Sequence, residues 1–173
     1  KLFLVDKIKG WLLSAIIGGG IMAIIIWFYD KTGDLFWIYT WLFIGVFTIF
    51  MTMFYSSLIV PLFNKQTPLE EGPLKQSIYA FSKKAGFTLN NIYVIDGSKR
   101  STKANAYFSG FGAKKRIVLY DTLINELSTN EIVAVLAHEI GHYKKKHVMV
   151  NMFVSLMLTG ITLFVFSLLN RYF

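Results

Sequence analysis

Three long stretches without a charged residue constrain the fold of this chain more than any other feature. They run from Trp11 to Tyr29, from Leu35 to Phe63 and from Val148 to Asn170. A helix needs about 20 apolar residues to cross the hydrocarbon core of a bilayer, and each stretch reaches about that length or exceeds it. The alternative is a set of apolar helices buried in the core of a soluble protein. Charged residues form only 16% of the chain, which favours the membrane interpretation.

Basic residues near the ends of these stretches predict the orientation in the membrane. Because cytoplasmic segments are enriched in Lys and Arg, the side that carries more of them is expected to be cytoplasmic. Lys31 and Arg171 would lie on one side and eight lysines on the other. These eight are Lys1, Lys7, Lys9, Lys65, Lys75, Lys144, Lys145 and Lys146. We therefore expect the N-terminus and the long segment between the second and third stretches to be cytoplasmic.

That long segment, residues 64–147, is the only part with the composition of a soluble domain. We predict an N-terminal membrane region at residues 1–63, with transmembrane helices at about 11–29 and 35–63. A folded core follows at residues 64–147, and a third transmembrane helix occupies residues 148–173. The core carries 13 of the 18 basic residues and 7 of the 10 acidic ones, a net charge of 13 − 7 = +6. Beside a membrane, this charge indicates attraction to anionic lipid, and nucleic acid is not expected as a partner.

Periodicity within the core predicts a helix and three short strands. The helix begins near Pro73 and ends at Gly86, which stands where a C-terminal cap belongs. The strands are expected at residues 92–95, 105–109 and 116–120, with a glycine-containing hairpin connection at residues 110–114. The predicted fold class is therefore a membrane protein, mainly α, with a small antiparallel sheet.

A second helix of the core has both a start signal and a buried stripe. Ser128 and Glu131 have the spacing of a capping box. Apolar residues then recur at helical spacing and predict the face that packs on the core. They are Ile132, Val133, Leu136, Ala137 and Ile140.

This helix carries the residues with metal-binding and catalytic chemistry: His138, Glu139 and His142. Two histidines four residues apart lie on one face of a helix, so both imidazoles can bind the same tetrahedral ion. The chain has no cysteine, so a metal must be held by histidines and carboxylates. Glu139 lies about 100° around the helix from His138. There it can act as general base towards a water acidified by zinc.

Other residues of the core are less suited to bind the same ion. His147 is five residues beyond His142 and so lies about 140° off the ligand face, and we predict a surface or supporting role for it rather than a ligand role. Glu131 lies about 10 Å along the axis from His138, too far to share its ion. Glu126 and Asp121 would require the chain to fold back. The alternative to a metal site is a chance occurrence of the pattern on a charged helix.

Three segments together resemble the type I CAAX prenyl proteases, which are multi-pass membrane zinc metalloendopeptidases. The segments are residues 98–108, 115–123 and 136–142. The resemblance implies one zinc ion per chain held by His138 and His142, with Glu139 as general base. It also implies a third ligand, a glutamate from a later helix that lies outside this chain. The chain is therefore expected to be a fragment of a longer protein. In the family, Asn105, Ala106 and Tyr107 would form the edge strand that pairs with substrate, consistent with the general mode of adding a peptide to a free strand.

The expected function is hydrolysis of peptide bonds by an integral-membrane zinc metalloendopeptidase. Its partners would be the bilayer and a peptide or protein substrate, prenylated or membrane-bound. The reaction would serve CAAX-type C-terminal processing or membrane-protein quality control. A bacterial-type member, in an inner membrane rather than an endoplasmic reticulum, is favoured. The alternatives are a heat-shock-type membrane metalloprotease and a non-catalytic, membrane-anchored module that binds peptides.

Overall fold

The computed structural model describes residues 2–87, 89, 91–109 and 115–170. The chain forms two compact units, one from residues 1–48 with 151–173 and the other from residues 49–150. The first unit is helical, and the second contains the sheet. The predicted connection at residues 110–114 lies outside the described residues.

Long apolar helices build the first unit. Helix α1 spans Leu2–Thr32, and a 3₁₀ turn at Gly33–Leu35 separates it from α2, Phe36–Leu58. Gly33 has a φ of +52°, a conformation that glycine adopts without strain, so the chain can turn there. The last long helix, α7, spans His147–Asn170.

Two helical stretches of the described chain are long and apolar enough to cross a membrane, Leu2–Phe63 and His147–Asn170. The first includes both N-terminal stretches predicted from the sequence. The 3₁₀ turn at Gly33–Leu35 separates these two stretches. In the most apolar 18 residues of the first stretch, 0% of the residues are buried, and in the most apolar 18 residues of the second stretch, 11% are buried. A core helix of a soluble protein would be mostly buried, so this exposure argues against the soluble alternative.

Within the first unit, α2 and α7 pack closely at one small residue. The indole N–H of Trp41 donates a hydrogen bond to the main-chain oxygen of Leu156 at 2.8 Å. Gly160 lies under the same ring, and a Cβ added there would be 2.9 Å from Trp41 Nε1. Small residues at helix contacts let backbones approach in this way in membrane proteins.

The second unit begins with the end of α2 and the short helix α3, Val60–Phe63. Its remaining elements are short, and their bounds follow in chain order. They are β1 (Gln66–Pro68), α4 (Pro73–Lys84), β2 (Asn91–Ile95), a 3₁₀ turn (Gly97–Lys99), β3 (Ala106–Ser109), β4 (Arg116–Tyr120), α5 (Asp121–Glu126) and α6 (Thr129–Lys144). The helix predicted to end at Gly86 is α4, and Gly86 has the positive φ, +62°, of a C-terminal cap.

The four strands form a sheet in the order β1-β2-β4-β3. The pairs β1/β2 and β3/β4 are antiparallel, but β2 and β4 are parallel. The mainly helical membrane fold with a small sheet is confirmed, whereas the prediction that the sheet is antiparallel throughout was wrong. After β2 the chain crosses to the sheet edge, forms β3, and returns as β4 beside β2. A parallel pair requires such a crossover.

One face of the sheet packs against α4 and α6. Ile117 and Leu119 of β4 are 0% exposed, in one cluster with Ile78 of α4 and Leu136 of α6. The α6 stripe is confirmed, since Ile132, Leu136 and Ile140 are all buried, with Val133 and Ala137 partly so. Because this face is held against the sheet, the orientation of the remaining α6 side chains is set by the core.

Candidate active site

Helix α6 begins with the predicted capping box. The backbone N–H of Ser128 donates to Glu131 Oε2 at 2.8 Å, and the N–H of Glu131 donates back to Ser128 Oγ at 3.5 Å. The hydrogen bond from the Ser128 side chain lowers the pKa of Glu131. Glu131 is therefore engaged at the start of the helix, as the capping-box spacing predicted.

One turn apart on α6, the imidazoles of His138 and His142 converge. Their Nε2 atoms lie 3.0 Å apart and their ring centroids 4.6 Å apart. Both side chains are exposed, opposite the buried stripe. Two nitrogens bound to one tetrahedral zinc at about 2.05 Å would be about 3.3 Å apart, so this spacing needs to change by only a few tenths of an ångström.

The structure places His147 where the sequence argument did not. Helix α6 ends at Lys144, Lys146 takes a left-handed φ of 55°, and α7 begins at His147. The predicted position of His147, about 140° off the ligand face, was therefore wrong, because the chain turns between the two helices. Its surface or supporting role stays a prediction. His147 Nδ1 lies 2.7 Å from His142 Nδ1, on the side of that ring away from His138.

Strand β3 is one of the two edges of the sheet among the described strands, and β1 is the other. Tyr107 lies opposite Val118, and Ala106 lies opposite Leu119. The Tyr120 N–H donates to the Asn105 carbonyl at 3.0 Å, so the pair Asn105/Tyr120 is hydrogen-bonded. Opposite residues of an antiparallel ladder alternate between bonded and non-bonded pairs. Tyr107 therefore bonds inward to β4, whereas the backbone N–H and C=O of Ala106 and Phe108 point to the outer side of β3.

The Asn105 side chain contacts this outer side. Its Oδ1 accepts the Ala106 N–H at 2.9 Å. Asn105 itself is exposed, and Ala106 is 6% exposed with its methyl group in the core. The outward N–H of Ala106 is therefore bonded to the Asn105 side chain and not to a neighbouring strand. A peptide carbonyl can replace this side-chain acceptor.

A cavity of about 560 Å³ joins these elements. Its wall includes Glu139 and His142 from α6 and Tyr107 and Phe108 from β3. The end of α2 and the start of α7 complete it with Met51, Thr52, Tyr55 and Val148. Glu139 is half-buried there, and burial raises the pKa of the Tyr107 hydroxyl. The predicted base, one predicted histidine ligand and the predicted substrate strand therefore face a single cavity.

The segment that leads into β3 is held by α5, a helix that sequence reasoning missed. Asp121 accepts hydrogen bonds from the Ser98 side chain and, at 2.8 Å, from the Ser98 N–H. Thr122 Oγ1 donates to the carbonyl of Lys103 at 3.0 Å. Partial burial opposes ionisation of Asp121, yet the Ser98 hydrogen bonds leave its pKa below the usual value. An aspartate directly after a strand was the signal available for this support.

Within the described residues, no group of three or more His, Asp or Glu side chains could hold a metal ion. His138 and His142 form a converging pair. Asp121 and Glu131, two of the carboxylates considered from the sequence, are engaged with Ser98 and Ser128.

A mostly helical membrane chain with a His-Glu-x-x-His helix packed on a small sheet has the architecture of a membrane metallopeptidase. A family model described as "Peptidase family M48" matches residues 68–172. A second, described as "CAAX prenyl protease N-terminal, five membrane helices", matches residues 1–65. The chain belongs to the CAAX prenyl protease family of the M48 peptidases, as the resemblance indicated. M48 is a metalloprotease family, which implies a metal, and the five-helix description identifies a multi-pass membrane protein.

Individual relatives agree with this assignment. CAAX prenyl protease 1 of Saccharomyces cerevisiae is 47% identical over 169 residues, which are 97% of this chain and 37% of that protein. The homologue from Arabidopsis thaliana is 47% identical over 147 residues, 84% of this chain and 35% of that protein. The crystal structure of S. mikatae Ste24p superposes with a TM-score of 0.91 at 45% identity, covering 96% of this chain and 39% of that one. The chain thus spans less than half the length of each of these proteins.

Proposed function

We propose that the intact protein is a membrane zinc metalloendopeptidase with its active site on α6. His138 and His142 hold one zinc ion per chain, and Glu139 is the general base. The observation that carries the proposal is the convergence of the two Nε2 atoms, 3.0 Å apart, next to a glutamate on the same cavity as an edge strand. The third ligand is proposed to come from a later helix outside these 173 residues.

The residues present fit this metal. Zinc in catalytic sites accepts imidazole nitrogens and needs at least one open position for water or substrate. Two exposed histidines with convergent Nε2 atoms supply the nitrogens and leave the other positions open. When bound, zinc supplies a Lewis acid that polarises the scissile carbonyl and acidifies water.

The substrate backbone pairs with the outer side of β3. The carbonyl of an extended peptide replaces Asn105 Oδ1 as acceptor for the Ala106 N–H, and the outward groups of Phe108 extend the pairing. Asn105 then turns its amide towards the peptide. The Tyr107 backbone stays bonded to β4, and its ring lines the cavity. Asn105, Ala106 and Tyr107 are thus the proposed substrate-binding residues.

Glu139 moves the proton during hydrolysis. Its carboxylate takes a proton from the attacking water as the oxygen adds to the scissile carbonyl carbon. The same proton then passes to the leaving nitrogen as the C–N bond breaks, which regenerates the carboxylate. Both transfers need the half-buried side chain to face the cavity in which the peptide lies.

The substrate is proposed to be a peptide or protein at the membrane, and CAAX-type C-terminal processing is favoured over membrane-protein quality control. The family name supports the first role. The cavity wall supports it too, because Met51, Tyr55 and Phe108 suit an apolar substrate group such as a prenyl chain. A heat-shock-type protease, the other enzyme considered from the sequence, has no specific support in the cavity.

The proposed organisation places a protease core, residues 64–147, between membrane helices at residues 1–63 and 148–173. The excess of lysine near one set of helix ends supports a cytoplasmic core. The expected location is a bacterial inner membrane rather than an endoplasmic reticulum, whereas the relatives named above are eukaryotic. Fractionation of the natural host cells, with the intact protein detected by antibody, identifies the membrane.

Glu139→Gln tests the catalytic assignment. The amide keeps the shape of the side chain but cannot take a proton, so cleavage of a prenylated peptide should fall by about 100-fold or more while zinc stays bound. The matched control is Glu126→Gln, an exposed carboxylate at the end of α5, which should leave cleavage unchanged. Normal cleavage by Glu139→Gln would exclude Glu139 as the base, and loss of zinc would make it a ligand or a structural group.

The outward groups of β3 also favour a second candidate, a membrane-anchored module that binds peptides without cutting them. Peptide binding alone does not separate the two, because both use the strand. Zinc-loaded wild-type protein that binds the peptide and never cleaves it would establish the binding module.

A further inference from the structure

The turn between α6 and α7 brings a third histidine against the proposed metal pair. His147 Nδ1 lies 2.7 Å from His142 Nδ1, a hydrogen-bond distance between two ring nitrogens. The rings are tilted by 68° with centroids 4.8 Å apart, so they meet edge to face rather than stack. One nitrogen must donate and the other accept.

The proposed zinc site decides which ring donates. If His142 binds zinc through the Nε2 atom that faces His138, its Nδ1 carries the proton, and His147 Nδ1 must accept. A ligating histidine commonly donates its other N–H to such an acceptor, which fixes the orientation of the ring and raises the basicity of the ligand.

From this geometry we infer that His147 is a positioning residue that orients His142 for zinc by accepting its Nδ1–H hydrogen bond. The inference rests on the proposed function, in which His142 is a zinc ligand. His147 is not itself a ligand in this arrangement, because it contacts the nitrogen of His142 that points away from His138. A metal between His138 and His142 therefore lies on the far side of the His142 ring from His147.

Lys146 produces this contact. Its left-handed φ of 55° lets the chain reverse after α6, and its N–H is bonded to the Tyr143 carbonyl at 2.9 Å. A continuous helix would carry residue 147 away from the ligand face. The hydrogen bond is thus a product of the turn, and a residue that resists positive φ should weaken it.

The test measures zinc affinity of the intact protein in detergent, by competition with a chelating indicator. His147→Leu should weaken zinc binding by about 10-fold to 100-fold, the usual cost of losing such a partner. His147→Asn places a carbonyl oxygen at the position of Nδ1 and should restore the affinity to within about 3-fold of wild type. Unfolding temperatures of the metal-free proteins should be equal, since a residue acting through the ligand does not hold the fold.

Two further variants make the outcomes distinct. Lys146→Val should weaken zinc binding although His147 is retained, whereas Lys146→Gly, which accepts positive φ, should not. Wild-type affinity in His147→Leu, or equal losses in His147→Leu and His147→Asn, would overturn the inference and leave the metal site intact. If His142→Ala kept wild-type zinc affinity, the proposed metal site itself would fail.

Discussion

Ala106→Pro separates substrate pairing from folding more cleanly than any other change in β3. Proline removes the N–H of residue 106 and restricts φ to about −65°. Ala106 is the first residue of β3, on the sheet edge, and its N–H points away from β4. Proline is tolerated at such positions because no ladder hydrogen bond is lost. Among the hydrogen bonds of the described residues, the change removes the one from the Ala106 N–H to Asn105 Oδ1.

The size of the effect follows from that one donor. A main-chain hydrogen bond contributes about 0.5–1.5 kcal/mol net, so kcat/KM should fall by about 2-fold to 13-fold from the missing bond alone. The restricted φ adds to this, because the proline ring cannot adopt the more extended φ of an antiparallel strand and so misaligns the peptide. We therefore expect a raised KM or complete loss of cleavage.

The assay compares cleavage of one peptide and zinc content for four proteins in the same detergent. Wild type and Tyr107→Phe should be similar, because the hydrogen bond of the tyrosine hydroxyl to Ser56 among the described residues is long, at 3.4 Å. Tyr107→Pro is the matched control for folding. It removes a bond between β3 and β4, so it should lower stability and zinc content together.

Wild-type turnover by Ala106→Pro would refute pairing of the substrate with β3. Loss of zinc along with turnover in Ala106→Pro would show instead that this residue supports the fold.

Three further predictions concern other parts of the chain. His138→Ala should lower zinc in the intact protein from about one ion per chain towards zero; equal zinc in both proteins would remove the residue from the site. Gly160→Val should push α7 away from Trp41, since even one added carbon would lie 2.9 Å from the indole nitrogen, and the melting temperature in detergent should fall; an unchanged melting temperature would contradict this packing. Burial opposes ionisation of Asp121, but its hydrogen bonds from Ser98 lower its pKa in the folded protein. The ionised side chain therefore stabilises the fold at pH values above the pKa of the unfolded chain, about 4. This stabilisation is lost as the pH falls through the lower pKa of the folded state. The stability difference between wild type and Asp121→Asn should therefore shrink in acid unfolding experiments below about pH 4, and a constant difference would count against the Ser98 contact.

Local signals in the sequence predicted two helices of the core, α4 and α6, whereas α5 was missed. The capping box at Ser128 and the buried stripe of α6 depend on residues within a few turns of one another, and both are confirmed. The predicted C-terminal cap at Gly86 is also confirmed, because this residue has a positive φ just after the end of α4. Convergence of His138 and His142 also follows from spacing within one helix.

Features that depend on distant residues could not be predicted. Pairing of β2 with β4 is parallel because the chain leaves the sheet centre to form the edge strand first, and no local pattern records that crossover. Strand β1 has only three residues and ends in Pro68, too short for an alternating pattern. The contact between His147 and His142 depends on one left-handed residue, Lys146, which carries no glycine or asparagine signal.

The most direct test of the proposed active site is the position of the metal in the intact protein. Crystals of zinc-loaded protein, with diffraction recorded on both sides of the zinc absorption edge, should show one anomalous peak about 2.0–2.1 Å from Nε2 of both His138 and His142. Glu139 should face this peak without ligating it. A peak elsewhere, or no peak within ligand distance of both histidines in fully loaded protein, would contradict the proposal.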